Sequence, residues 1–204
     1  MSIRWRRLAT RRLWFTARSN MLASTLLATT SWFLAAIFAV ALRHKIAEHD
    51  RFAAALGAYR LLPAAMVRIA AKLLIALEAG TLLLLVLVMP YGLVCAAALL
   101  LLYFAAMAIN VARGRAFIDC GCGDEPTPLS SGALLRNLIL AALALGAYAG
   151  QSAVGGFAAM IGTLTAGQVL VALALMLVTG LLYAAAEQLL RNQATHRRLW
   201  LGAS

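Results

Sequence analysis

The chain has 204 residues, of which 64% are hydrophobic and only 12% charged, and it carries a net charge of +11. Soluble domains run to about 45–50% apolar and about 25% charged. A water-soluble globule is therefore excluded, because it has nowhere to face so much apolar surface, and lipid is the solvent that accepts it.

Six arginines (Arg4, Arg6, Arg7, Arg11, Arg12 and Arg18) precede the first apolar run, with no acid among them. Directly before a membrane span, such a flank marks residues 1–20 as a basic cytoplasmic arm rather than a nucleic-acid-binding one, so no nucleic-acid partner is expected. Trp5, Trp14 and Phe15 suit it to anionic headgroups.

Five apolar segments follow: Met21 to Leu42, Ala64 to Met89, Gly92 to Ala112, Gly132 to Gly150, and Ala166 to Leu189. Each is near the length of about 20 residues that a helix needs to cross a hydrocarbon core. A small-x-small pattern at Ala39-Val40-Ala41 raises a cleaved signal peptide, but the apolar run before it exceeds the usual ~7–15 residues. Between the first two segments, IAEHDRFAAALGAYRLL is too charged to span, and its helical spacing predicts a short interfacial helix closed by Pro63. The expected fold is all-α: a polytopic transmembrane helical bundle of four to five spans over residues 21–190, followed by a basic tail, 191–204.

With the arm cytoplasmic, alternation puts His44 to Leu62 outside, the turn Pro90-Tyr91-Gly92 inside, and the loop at 113–131 outside. Five spans also put the tail outside, although Arg191, Arg197 and Arg198 favour the inside. Pairing the fourth segment with GGFAAMIGTLTAG (155–167) as a re-entrant element leaves four spans and an inward tail.

The loop contains RGRAFIDCGCGDEPTP, the one polar island in the apolar middle of the chain. In extended chain Cys120 and Cys122 point to the same side, with Cα atoms about 6–7 Å apart, at the upper limit that disulfides tolerate. Gly121 lets the backbone pucker and draw the sulfurs together. A bond there is strained, and strain makes it an oxidant rather than a staple; so small a loop also adds little stability. Arg113 and Arg115 lower a nearby thiol pKa, whereas Asp119 raises that of Cys120. Three readings stay open for the pair: thiol redox chemistry, which strain and loop size favour, a metal site, and an inert pair. Zinc lacks its other ligands, since His44, His49 and His196 are scattered and no second cysteine pair exists, though two sulfurs suffice for Cu(I). Cys95, deep in the third segment, reads as a buried small hydrophobe.

Glu78, in LLIALEAGTLLL, lies well inside the second span, where a carboxylate costs a few kcal/mol and calls for a partner. Lys45, Arg113 and Asn110 are the candidates. Arg68 and Lys72 can snorkel, and Asn110 and Asn137 can hydrogen-bond across helices.

The order Lys45, YRLLP (Tyr59 to Pro63), Glu78, NVARGR (Asn110 to Arg115), DCGCG (Asp119 to Gly123) and Arg136-Asn137 resembles the methylamine utilisation MauE family, within the MauE/DoxX-like redox-associated membrane proteins. The resemblance covers about residues 22 to 145, and its specific part is RGR followed closely by DCGC. It implies a multi-pass protein of the bacterial inner membrane, its CGC loop facing the periplasm, that supports maturation of a periplasmic amine dehydrogenase. Disulfides of that enzyme's small subunit, the client, would be formed or exchanged beside a thioredoxin-like, MauD-like partner. Cys120 and Cys122 match the family's cysteine pair, and Arg113, Gly114, Arg115, Asp119, Gly121 and Gly123 its flanks. In this reading the cysteines carry the exchange, the arginines orient or acidify them, and Glu78 and Lys45 form a polar pair beneath. A non-catalytic scaffold or metal carrier that recruits the partner is the alternative. No cofactor is implied with certainty. A quinone is the one candidate, from the outline shared with quinone-coupled disulfide generators of the DsbB and vitamin K epoxide reductase type. Those proteins use a second cysteine pair, and this chain adds only Cys95.

Overall fold

The computed structural model describes residues 3–115, 131–151, 162 and 164–201, and every element among them is helical. The helices are α1 (Ile3–Ala47), α2 (His49–Ala58), α3 (Ala64–Leu87), α4 (Met89–Ala112), α5 (Ser131–Gln151) and α6 (Ala166–Leu201). Five are long and apolar enough to cross a membrane, over Met21–Ala47, Ala64–Leu87, Met89–Ala112, Ser131–Gln151 and Ala166–Leu189. The expected helical bundle is present. No helix break marks its edges, since α1 runs through the basic arm and α6 into the tail. Most of the 155–167 element considered as re-entrant lies outside the described residues.

Where the helices stop follows from local chemistry. From Ile3 to Ala47 there is neither glycine nor proline, and α1 continues without interruption until Glu48 leaves helical geometry at φ −117°, ψ 47°. Pro63 caps the start of α3, where its missing N–H is no loss. At the end of α4, Gly114 takes φ +72°, Arg115 N–H donates to Asn110 O at 3.0 Å, and Gly114 N–H to Val111 O at 3.0 Å. This Schellman stop needs a residue free of Cβ strain, which accounts for the glycine in RGR. At the start of α6, Thr165 and Gln168 form a capping box: the Gln168 side chain accepts from Thr165 N–H at 2.8 Å, and Gln168 N–H donates back to Thr165 Oγ1 at 3.3 Å.

Val88 alone joins α3 to α4, so the two helices fold back as a tight hairpin. The turn depends on Gly92, because a Cβ there would lie 2.3 Å from Leu85 N. The core joins all five spans. Ala28 of α1, Ala96 and Ala97 of α4, Ala141 and Ala144 of α5 and Ala172 of α6 are buried at the crossings, and Phe33, Leu34, Phe38 and Leu93 fill between them. Lipid offers no hydrophobic drive between helices, so close approach through small residues is what holds such a bundle. Most exposed side chains of the spans are leucines and other hydrophobes, as contact with acyl chains demands.

The last helix runs parallel to the first. Gln168 Nε2 donates to Met21 O at 3.3 Å, Thr29 Oγ1 to Ala172 O at 3.5 Å, and the rings of Phe33 and Tyr183 meet edge-on at 5.9 Å. Further along, Arg136 near the start of α5 pairs with Glu187 of α6 at 2.6 Å. Five alternating helices thus bring the end of α6 to the same end of the bundle as the end of α4 and the start of α5.

Candidate functional site

Lys45, in the last turn of α1, and Glu78, in the middle of α3, are 4% and 1% exposed and form an ion pair. Tyr103 of α4 completes the group, its hydroxyl donating to the same Glu78 Oε1 at 2.6 Å and lying 3.4 Å from Lys45 Nζ. The ammonium also sits 4.6 Å from the centre of the Tyr103 ring and 5.1 Å from that of Phe52. Two aromatic faces therefore replace part of the water that burial removes. Taking both charges out of water costs several kcal/mol per ion, which only close pairing and added hydrogen bonds offset. The offset is incomplete, because Glu78 Oε2 is buried with no hydrogen-bond partner among the described residues.

The three residues come from three helices, and α2 closes the group from the side. Phe52 and Ala53 of α2 pack on Ala71 of α3, so the short helix lies along the first turns of α3 and delivers Phe52 to the ammonium. Beyond α2, Tyr59 packs with Met107 and Ala133, tying the chain before α3 to the end of α4 and the start of α5. A cavity of about 360 Å³ remains between these parts, with Lys45 and Tyr103 at its polar side and Phe52, Tyr59 and Met107 among its walls.

Of the predicted site residues, the structure brings together Lys45 and Glu78. Arg113 and Asn110, the other candidate partners of Glu78, lie two turns or more beyond Tyr103 along α4. Arg113 is exposed. Asn110 is fully buried, its Nδ2 donating to Ala106 O at 3.0 Å while Oδ1 finds no partner among the described residues. Arg115, just past the helix end, has Nη1 buried with no partner among the described residues, and Asn137 accepts from Arg136 Nε at 3.3 Å. Asp119, Cys120, Gly121 and Cys122 lie outside the described residues. Cys95 is half-buried rather than enclosed, and Arg68 and Lys72 are exposed. Among the described residues no cluster of three or more His, Cys, Asp or Glu side chains could hold a metal ion.

Sequence reasoning missed Tyr103 and Phe52, and it took Tyr59 only as part of the YRLLP motif. An aromatic residue in an apolar segment carries no mark of a polar role, and only the fold shows that the Tyr103 hydroxyl meets a carboxylate.

No solved structure gives a match to the chain. Among curated proteins, the methylamine utilization protein MauE of Methylophilus methylotrophus is 37% identical over 174 residues, 83% of this chain and 88% of that protein. The protein of the same name from Paracoccus denitrificans is 42% identical over 126 residues, 59% of this chain and 67% of its own. That of Paracoccus versutus is 40% identical over 146 residues, 68% of this chain and 77% of its own. The family model for methylamine utilisation protein MauE matches residues 23–150, a stretch that holds the Lys45–Glu78–Tyr103 group, the Gly114 helix stop and the cysteine pair. The chain is a multi-pass membrane protein that belongs to the MauE family of methylamine utilisation proteins.

Proposed function

We propose that this protein is an accessory factor of the bacterial inner membrane that supports maturation of a periplasmic amine dehydrogenase. Cys120 and Cys122, in a loop on the periplasmic side, form or exchange disulfides of the enzyme's small subunit together with a thioredoxin-like, MauD-like partner. A thiolate of the partner attacks the Cys120–Cys122 disulfide, and the partner's second thiol resolves the mixed disulfide, so that the CGC disulfide is reduced to two thiols as one partner disulfide forms. The observation that carries the reading is the tether: Met107 of α4 and Ala133 of α5 pack together, so both ends of the loop are held at one end of the bundle. Five residues of chain reach at most about 18 Å, so covalent connection alone limits how far Cys120 can stand from Arg115.

Replacing Cys120 or Cys122 by serine in a methylamine-grown host tests it. Amine dehydrogenase activity and small-subunit disulfides are expected to fall to the level of a deletion strain, with the MauD-like protein still present. Normal maturation in the serine variants overturns the exchange reading, leaving a scaffold that recruits the partner. A membrane-impermeant maleimide applied to intact cells is expected to label the pair after reduction.

A further inference from the structure

We infer that the cavity beside Lys45 and Tyr103 is a binding site for the ring of a neutral, lipid-soluble carbonyl compound of the quinone class. Its mouth opens to lipid rather than to water. Leu73 of α3 and Leu102 of α4, 59% and 51% exposed on adjacent spans, both line it, so a ligand enters sideways from the acyl chains. Its volume of about 360 Å³ suits one ring with a tail left outside, at the lower end of the roughly 300–1,000 Å³ of small-molecule sites. The rings of Phe52, Tyr59 and Tyr103 among the walls favour a flat guest.

The polar side selects the chemistry. Lys45 and Glu78 cancel each other's charge, so neither an anionic lipid nor a cation gains net attraction there. The Lys45 ammonium has three N–H donors, of which one serves Glu78 and a second faces the Tyr103 oxygen. With a plain hydrocarbon guest the third meets only the faces of the Phe52 and Tyr103 rings, a weaker partner than an oxygen. A carbonyl oxygen accepts it and adds no charge. The inference rests on the cavity and the ion pair, and does not depend on the cysteine chemistry.

The test is equilibrium dialysis of decylubiquinone against the full chain in nanodiscs, with empty nanodiscs as the blank. Saturable binding is expected, weakened about tenfold or more by Lys45→Met, the factor that losing one charge-assisted hydrogen bond gives. Ala106→Phe, which fills the cavity and leaves the ion pair in place, is expected to abolish it, and it carries the test if Lys45→Met fails to fold. Linear partitioning equal to the blank, binding unaffected by Ala106→Phe, or displacement by equimolar oleate each overturns the site. The Cys120→Ser/Cys122→Ser protein is expected to bind decylubiquinone as the parent does. Binding retained alongside normal dehydrogenase maturation in that variant removes the disulfide reading and leaves the quinone site standing. Loss of saturable binding, with maturation still cysteine-dependent, does the reverse.

Discussion

Tyr103 and Lys45 converge on a single oxygen of Glu78, leaving the other oxygen of that carboxylate buried with no partner among the described residues. The arrangement predicts unequal costs. Lys45→Met strands the carboxylate and is expected to destabilise the bundle by about 3–5 kcal/mol, whereas the joint change Lys45→Met/Glu78→Met recovers most of that loss. Tyr103→Phe removes one hydrogen bond and is expected to cost about 1–2 kcal/mol. Denaturant titration in detergent, followed by circular dichroism, gives all three values. Equal losses for the single and joint changes would contradict the pairing.

Gly92 is expected to be intolerant for a different reason. A Cβ there meets the α3 backbone, with Leu85 Cα at 2.5 Å and the carbonyl carbon of Leu84 at 2.6 Å, and backbone cannot step aside as a side chain does. Gly92→Ala should therefore cost at least about 1–3 kcal/mol through forced separation of the hairpin. Gly80→Ala, where nothing lies within 4 Å, should be neutral or stabilising by up to about 1 kcal/mol. Melting temperatures of the two variants, side by side, check the contrast.

The attachment of α6 is sparse. Only 6% of its spanning window is buried, and its contacts with described neighbours include the Gln168–Met21, Thr29–Ala172 and Phe33–Tyr183 approaches and the Arg136–Glu187 pair. Arg136→Glu is expected to lower the yield of a disulfide engineered between Thr29→Cys and Ala172→Cys in a background without native cysteines. Adding Glu187→Arg should restore it. An unchanged yield in the single charge reversal would show that the pair does not hold the helix.

Parity of the five spans predicts a labelling pattern. In the same background, Asn20→Cys and Asn192→Cys should react with impermeant maleimide from opposite faces of sealed vesicles. Reaction of both from one face would remove one crossing.

The spans were legible in the sequence because lipid tolerates so few alternatives to a long apolar helix, and Glu78 announced its need for a partner because an unpaired carboxylate there is so costly. Gly114 was visible within RGR, although its task as a helix stop depends on hydrogen bonds to Asn110 and Val111 that only the folded chain displays. The register between helices was hidden. Nothing in the spacing says that Tyr103 faces Glu78, or that α2, expected simply as an interfacial element, walls a cavity against α3. The tail posed a conflict between span count and arginine position. Contacts between residues as distant as Thr29 and Ala172, beyond the reach of any local pattern, set α6 parallel to α1.

The uninterrupted course of α1 makes it a lever. About 60 Å of rod, at 1.5 Å per residue, joins the arginines at one end to the Lys45 ammonium at the other, and no glycine or proline along it can absorb a bend. A tilt of the arm, whether from lipid charge or bilayer thickness, is therefore expected to reach the ion pair on the far side as a displacement.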